Sequence, residues 1–179
     1  MAQEALREVA RKYYIRQLFL VYSEMTFIGG YLTTRETDIW DLRRRQNTQS
    51  EISRLMGVSR QAIHKTYHII DQKMEQAFME AADTNHLEAK TVNLVDGVME
   101  AYSQAHRLPV VVSFSKVNGV KLWYFYEGNC DGCNHNRLCR VTLEDEAEER
   151  GIELSDAERL LTPSQLAHRI FSRYMEGHN

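Results

Sequence analysis

No apolar run in the chain reaches the roughly 18 residues that a membrane-spanning helix needs. The first residues lack the basic, apolar and small-residue order of a secretory leader. A cytoplasmic location and no membrane partner are therefore expected. Cysteine occurs only three times, an odd number that argues against a simple disulfide framework. In a reducing compartment those thiols should stay free. There is no large excess of charge of one sign, the net value being −3, which is not what a protein that coats nucleic acid shows. A Gly-rich phosphate loop, a nucleophile elbow and a paired-carboxylate motif are also missing, so the expectation is that the chain is not an enzyme. Its 43 % apolar and 26 % charged residues are those of an ordinary folded protein. A chain of 179 residues has room for one or two domains.

The most informative stretch is Leu32 to Phe78. Thr48 with Glu51 three residues later forms a capping box, in which each side chain serves a backbone N–H that a helix start leaves unpaired. Ile52, Leu55 and Met56 follow as a one-sided apolar pattern. Gly57 suits the left-handed helix end, and Val58 can plug the gap between two helices. Ser59 can cap the next helix. Ala62, Ile63, Thr66, Ile69 and Ile70 give that helix an inner face, and Ala62 allows a close crossing. Its outer face carries Arg60, Gln61, His64, Lys65 and His68, side chains able to bond base edges or phosphates. An earlier helix begins at a second capping box, Thr33 with Glu36. Ile39, Trp40 and Leu42 are its apolar side. It ends on Arg43, Arg44 and Arg45, which suit both the negative end of a helix dipole and DNA phosphates. Three helices of about 13, 8 and 20 residues with short turns are expected.

The order L-T-x-R-E-x-x-I-W-x-L-R followed by T-Q-S-E-I-S-R-L-M-G-V-S-R-Q-A-I resembles the trihelical helix-turn-helix of sigma-factor region 4, of LuxR-type regulators and of archaeal Tfx-like regulators. The resemblance covers roughly 45 residues, the N-terminal half only. Ser53 stands where such motifs usually carry Ala, and Asn47 where Gly is common. Both substitutes fit, since Ser is small and Asn tolerates the left-handed turn. The resemblance implies that the helix from Ser59 lies in the major groove, with Ser59, Arg60, Gln61, His64 and Lys65 facing bases or phosphates, and that Gln49 and Ser50 touch phosphates. The alternative from the residues alone is an ordinary exposed helical hairpin.

Charge is unevenly placed. Residues 1–82 hold 12 Lys/Arg and 10 Asp/Glu, residues 83–179 hold 10 and 15, and Thr33–His68 alone holds 7 and 4. The proposed reading head is positive and the second half acidic, as in a site-specific binder rather than a coating protein.

Residues 2–24 read as a mostly buried helix, with Leu6, Val9, Ala10, Tyr13, Tyr14, Gln17, Leu18 and Val21 at helical spacing. Met25–Tyr31 reads as a loop through Gly29 and Gly30. The recognition helix shows no stop before Ala82, giving a single helix of about 36 Å. Its distal half could face a second subunit or pack on the N-terminal helix. Leu87 to His106 reads as another amphipathic helix, with Val92, Val95, Val98, Met99 and Tyr102 inward and Pro109 ending it. Residues 110–127 read as a β-hairpin turning at Asn118-Gly119, which pairs Val117 with Val120, Phe114 with Trp123 and Val112 with Phe125. Such a hairpin must pack on helices or on a second copy.

Residues 128–140 form a Gly/Asn-rich loop with Cys130, Cys133, His135 and Cys139 in C-x2-C-x5-C spacing. These four could ligate zinc. The same spacing resembles the iron–sulfur loops of redox-sensing regulators, with a fourth ligand from elsewhere. A redox pair, or three inert thiols, without metal is the third possibility. Thr142–Gly151 reads as a charged, solvated short helix stopped by Gly151. Ser155 with Glu158 and Thr162 with Gln165 are further capping boxes, and Pro163 sits at a favoured first helical position. The last helix should bury Leu166, Ile170, Phe171 and Tyr174 against the hairpin. His168 and His178 show no evident partner.

The resulting expectation is a mostly α, overall α+β protein. Residues 1–82 form a helix-turn-helix domain, and residues 83–179 an α+β domain holding hairpin 110–127 and cysteine loop 128–140. The expected function is a sequence-specific, double-stranded-DNA-binding transcription regulator, a homodimer because one short helix reads few base pairs. The second domain is expected to dimerise, to sense metal or redox state, or to contact the transcription machinery. Two alternatives stay open: an adaptor whose helix-turn-helix binds protein, and an enzyme using the cysteine loop as a metal or thiol centre.

Overall fold

A computed structural model describes residues 27–28 and 31–175. The element order is β1 (Phe27–Ile28), β2 (Leu32–Thr33), α1 (Thr34–Arg44), α2 (Gln49–Met56), α3 (Arg60–Thr84), β3 (Leu87–Asn93), β4 (Val98–Ser103), β5 (Leu108–Ser115), β6 (Gly119–Tyr124), α4 (Asn136–Glu149) and α5 (Pro163–Phe171), with short 3-10 turns at Glu158–Leu160 and Ser172–Tyr174. The fold is α+β. The helix expected over residues 2–24 lies outside the described residues, as does His178. Within the stretch read as a loop, β1 pairs antiparallel with β2, Ile28 opposite Leu32.

The local signals at α1, α2 and α3 act as their chemistry demands. Both capping boxes close, Glu36 N–H donating to Thr33 Oγ1 and Glu51 N–H to Thr48 Oγ1. Gly57 adopts φ 64°, and Ala62 N–H donates to Ser59 Oγ at 3.2 Å. The lengths are 11, 8 and 25 residues, and α3 runs unbroken to Thr84, two residues past the Ala82 expected as its end. Ile52, Ile63 and Ile70 are buried, while Leu55 and Ile69 point outward.

A four-stranded antiparallel sheet in the order β3-β4-β5-β6 occupies the middle of the molecule. The expected helix over Leu87–His106 is instead the β3–β4 hairpin and the turn into β5. The apolar spacing there satisfies helix and strand alike. Asp96-Gly97 decides for the hairpin, because Gly97 takes φ +64° beneath Trp40. A Cβ at that position would lie 2.6 Å from the Trp40 ring, so only glycine fits.

The β5–β6 hairpin exists, but its register differs by three from the expected one. Phe114 pairs with Val120, Val112 with Leu122 and Val111 with Trp123. Gly119 alone takes the left-handed conformation, at φ 65°, after a three-residue connection. Ser115 Oγ accepts from Val117 N–H and Asn118 N–H, and the Glu149 carboxylate accepts from Lys116 N–H and Val117 N–H. Long-range anchoring by Glu149 thus overrides the two-residue turn that Asn-Gly favours.

Both faces of the sheet are covered. Met99, Ala101, Val110, Val112 and Phe114 join Leu32, Ile39, Trp40, Ile52, Ile63, Ile70, Met74, Phe78 and Ala82 in one core, which draws on residues either side of position 82. The alternate residues Val98 and Val111 join Leu143, Ala147, Ile152, Leu166, Ile170 and Phe171 in a second. Trp40 locks α1 to the sheet, donating Nε1–H to the Leu94 carbonyl at 3.0 Å and meeting Phe114 edge-on at 5.1 Å.

Helix α4 begins at Asn136, inside the cysteine loop, not at Thr142. Its acid run is not wholly solvated either. Glu146 is 0 % exposed, accepts from Ser113 Oγ at 2.6 Å and pairs with Arg150. Gly151 stops the helix at φ +63°, as its residue type requires. Pro163 and the Thr162–Gln165 box start α5. The hairpin supports α5, Trp123 stacking on Phe171 at 5.9 Å. His168 is not partnerless, lying 5.1 Å from the Phe125 ring and within hydrogen-bond reach of Ser172 Oγ.

Candidate nucleic-acid interface

Residues from two helices meet at the start of α3. Gln49, from the first turn of α2, and Arg60, Gln61, His64 and Lys65, from α3, line one open depression. The short turn through Gly57 and Val58 sets the two helix starts side by side. Because Gly57 adopts φ 64° with open space where a Cβ would stand, its conformation rather than crowding selects glycine. Val58 is half-buried against the core as a plug. Arg60, Gln61, His64, Lys65 and His68 are all exposed, as are Ser50 and the cap Ser59.

The face is ordered by side-chain contacts. Gln49 Nε2 lies 3.5 Å from His64 Nδ1, bridging α2 to α3. His64 Nε2 in turn lies 3.3 Å from His68 Nε2, with the rings 4.7 Å apart and nearly perpendicular. Below the face, Glu36 fastens α1 to α3 through Lys73 at 2.8 Å. Burial pushes the Glu36 carboxyl up, but hydrogen bonds from Lys73 and Thr33 outweigh it and hold the carboxyl below its ordinary range. The Glu51 carboxyl is likewise held low, chiefly by the Thr48 backbone N–H and then by the Thr48 hydroxyl.

The arginine triplet divides. Successive residues of a helix point about 100° apart, so three in a row cannot share one face. Arg43 is held by Asp71 at 2.6 Å and lies over the Tyr67 ring. Arg44 has a side chain only 4 % exposed, bound to Asp41 at 2.7 Å, 3.5 Å from Glu149 and over the Trp40 ring. Its guanidinium therefore joins α1 to α4 and is not presented to a phosphate. Arg45 alone stays open, its side chain 64 % exposed beside Asp41. Spacing did not reveal the Gln49–His64 bridge, since it depends on how α2 and α3 cross. The His64–His68 pair was legible as an i, i+4 spacing.

In the cysteine loop, Cys130 and Cys139 are half-buried and Cys133 is exposed, all as free thiols. Cys130 Sγ lies 3.6 Å from Ser164 Oγ, and His135 N–H donates to Cys133 Sγ at 3.4 Å. Cys139 sits on the first turn of α4, where its N–H donates to the His135 carbonyl. Burial pushes the Cys139 thiol up, and the neighbouring Cys133 and Cys130 push it further. Among the described residues no group of three or more His, Cys, Asp or Glu side chains is set to hold a metal ion. The loop thus holds the three cysteines and His135 without gathering them into a ligand shell.

Compared with family models, with curated proteins and with solved structures, the chain matches none. The functional reading rests on the residues themselves. Among the described residues no helix is long and apolar enough to cross a membrane.

Proposed function

We propose that this protein is a sequence-specific DNA-binding transcription regulator whose residues 34–84 act as a trihelical helix-turn-helix. The helix capped by Ser59 enters the major groove, and two copies of the chain bind together. One observation carries the reading: Gln49, Arg60, Gln61, His64 and Lys65 converge on a single exposed depression at the junction of α2 and α3. Arg60 and Gln61 offer the geometry that reads guanine and adenine edges, while Lys65 and the N-terminus of α2 suit phosphates. The cations of Arg45 and Lys65 supply a salt-dependent share of the affinity. Arg43 and Arg44, being engaged inside the protein, hold the head together instead of gripping DNA.

The test is selection of duplex DNA from a random pool with oxygen-free protein. Enrichment of a palindromic or repeated motif is expected, because two related recognition helices read two half-sites. The absence of any enriched motif overturns the proposal. Metal content measured on the same sample assigns the three thiols of the loop to zinc, to an iron–sulfur cluster or to neither.

A further inference from the structure

His64 and His68 stand one turn apart on the exposed side of α3, and their closest approach is between like atoms. Nε2 of one lies 3.3 Å from Nε2 of the other. At that distance an Nε2–H on one neutral ring can donate to the unprotonated Nε2 of the other, and a cation set between two unprotonated nitrogens can take the place of that hydrogen. Histidine nitrogens bind zinc at about 2.0–2.1 Å, and two such bonds spanning the 3.3 Å gap enclose an angle of about 107°, close to tetrahedral. The pair is therefore spaced for chelation without any movement of the helix.

We propose that His64 and His68 form a two-histidine site for a divalent transition-metal ion of the zinc, copper or nickel type on the exposed face of α3. Imidazole pairs suit these metals, and an isolated pair leaves two coordination positions for water or an outside donor. Gln49 supplies the supporting contact. In the absence of metal its amide can donate to His64 Nδ1. With metal on Nε2, the Nδ1 atom carries the hydrogen, and the same amide turned by 180° accepts it through Oε1. The neighbouring cations Arg60 and Lys65 weaken the site, so occupancy needs both imidazoles neutral and rises with the concentration of metal. The site does not depend on DNA binding.

The experiment is a zinc titration of the full metal-free chain, read through the imidazole nitrogen resonances of its histidines and repeated for His64→Gln and His68→Gln. Circular dichroism on each variant establishes that α3 is intact. In the wild type, the Nε2 signals of His64 and His68 should move together and saturate at one equivalent beyond any zinc taken by the thiols. In either variant the remaining histidine should respond at least tenfold more weakly, because a chelate has become a single ligand. A wild type in which only the cysteine loop responds, or a His68→Gln protein that binds as the wild type does, overturns the site and leaves the pair as a hydrogen bond between two rings.

Discussion

The two faces of the central sheet are held by different forces. Toward α1, α2 and α3, the sheet presents Met99, Ala101, Val110, Val112 and Phe114, and the contact is apolar with Trp40 at its centre. Toward α4 and α5, a buried ion pair interrupts the apolar contact. Glu146 and Arg150 have side chains 0 % and 1 % exposed, and Arg150 Nη2 also approaches the carbonyls of Gly97 and Phe114. Dispersion and water exclusion do not depend on pH, so the apolar contacts of the first face are themselves indifferent to acid. The second carries a titratable group whose desolvation competes with its partners. The side of the sheet that supports the candidate interface is thus the chemically inert one, and the ionic side lies against the cysteine-bearing unit.

The largest effect should come from the apolar face. Trp40→Ala removes a fully buried ring and leaves the Leu94 carbonyl without its donor. A loss of about 3–5 kcal/mol in urea unfolding is expected, with the same value at pH 5 and pH 8. A strongly pH-dependent loss would break the contrast between the faces.

Glu146→Ala leaves Arg150 buried without its partner, which costs about 3 kcal/mol. Glu146→Gln keeps the shape and the Ser113 contact. Burial raises the Glu146 carboxyl, while Arg150 and Ser113 pull it down without cancelling the rise. A raised folded pKa means that the group favours folding below its ordinary value of 4.5 and that this support is lost as pH rises through the folded value. Wild type should therefore lose stability relative to Glu146→Gln as pH climbs above that range. Glu158 has the opposite sign. Its carboxyl is held down to about 2 by the Ser155 backbone N–H, by Arg169 and by the Ser155 hydroxyl, so its support is present above 4.5 and disappears as pH falls toward 2. Unfolding of Glu146→Gln and Arg169→Ala proteins across pH 2–8 separates the two.

Gly97→Ala acts on the apolar face, since a Cβ would strike the Trp40 ring at a backbone φ of +64°. About 2 kcal/mol of destabilisation is expected from strain and displaced packing together. The smallest effect belongs to a purely local device. Thr48→Ala opens the α2 capping box and should cost about 1 kcal/mol, leaving the sheet untouched by hydrogen exchange.

What the sequence disclosed follows the same division. The caps at Thr33, Thr48, Ser59 and Thr162 act within three residues, so their chemistry is complete in the local sequence. The residues around the depression were legible because their helices begin where those caps stand. Of the sheet, only the β5–β6 hairpin was legible; β3 and β4 were read as a helix, because β4 is buried on both faces and shows no apolar–polar alternation, while β3 is largely exposed. Val92, Val95, Val98, Met99 and Tyr102 fit a helical stripe as well as a hairpin, and Asp96-Gly97 was the overlooked punctuation. The hairpin register at Asn118-Gly119 was fixed by Glu149, 30 residues beyond the turn. Arg44 and Glu146 looked like surface charges because only their partners, Glu149 and Ser113, reveal that they are interior.

The measurement that bears most directly on the proposed function compares Arg60→Ala with Arg137→Ala on the motif enriched from random duplex DNA. Both arginines are exposed, but only Arg60 lines the depression at α2 and α3. Arg60→Ala should weaken binding to that motif by about 1–3 kcal/mol, roughly 5- to 150-fold, while Arg137→Ala leaves it unchanged. Equal affinity for the two variants, or no motif to measure them on, would contradict a DNA-reading role for this face.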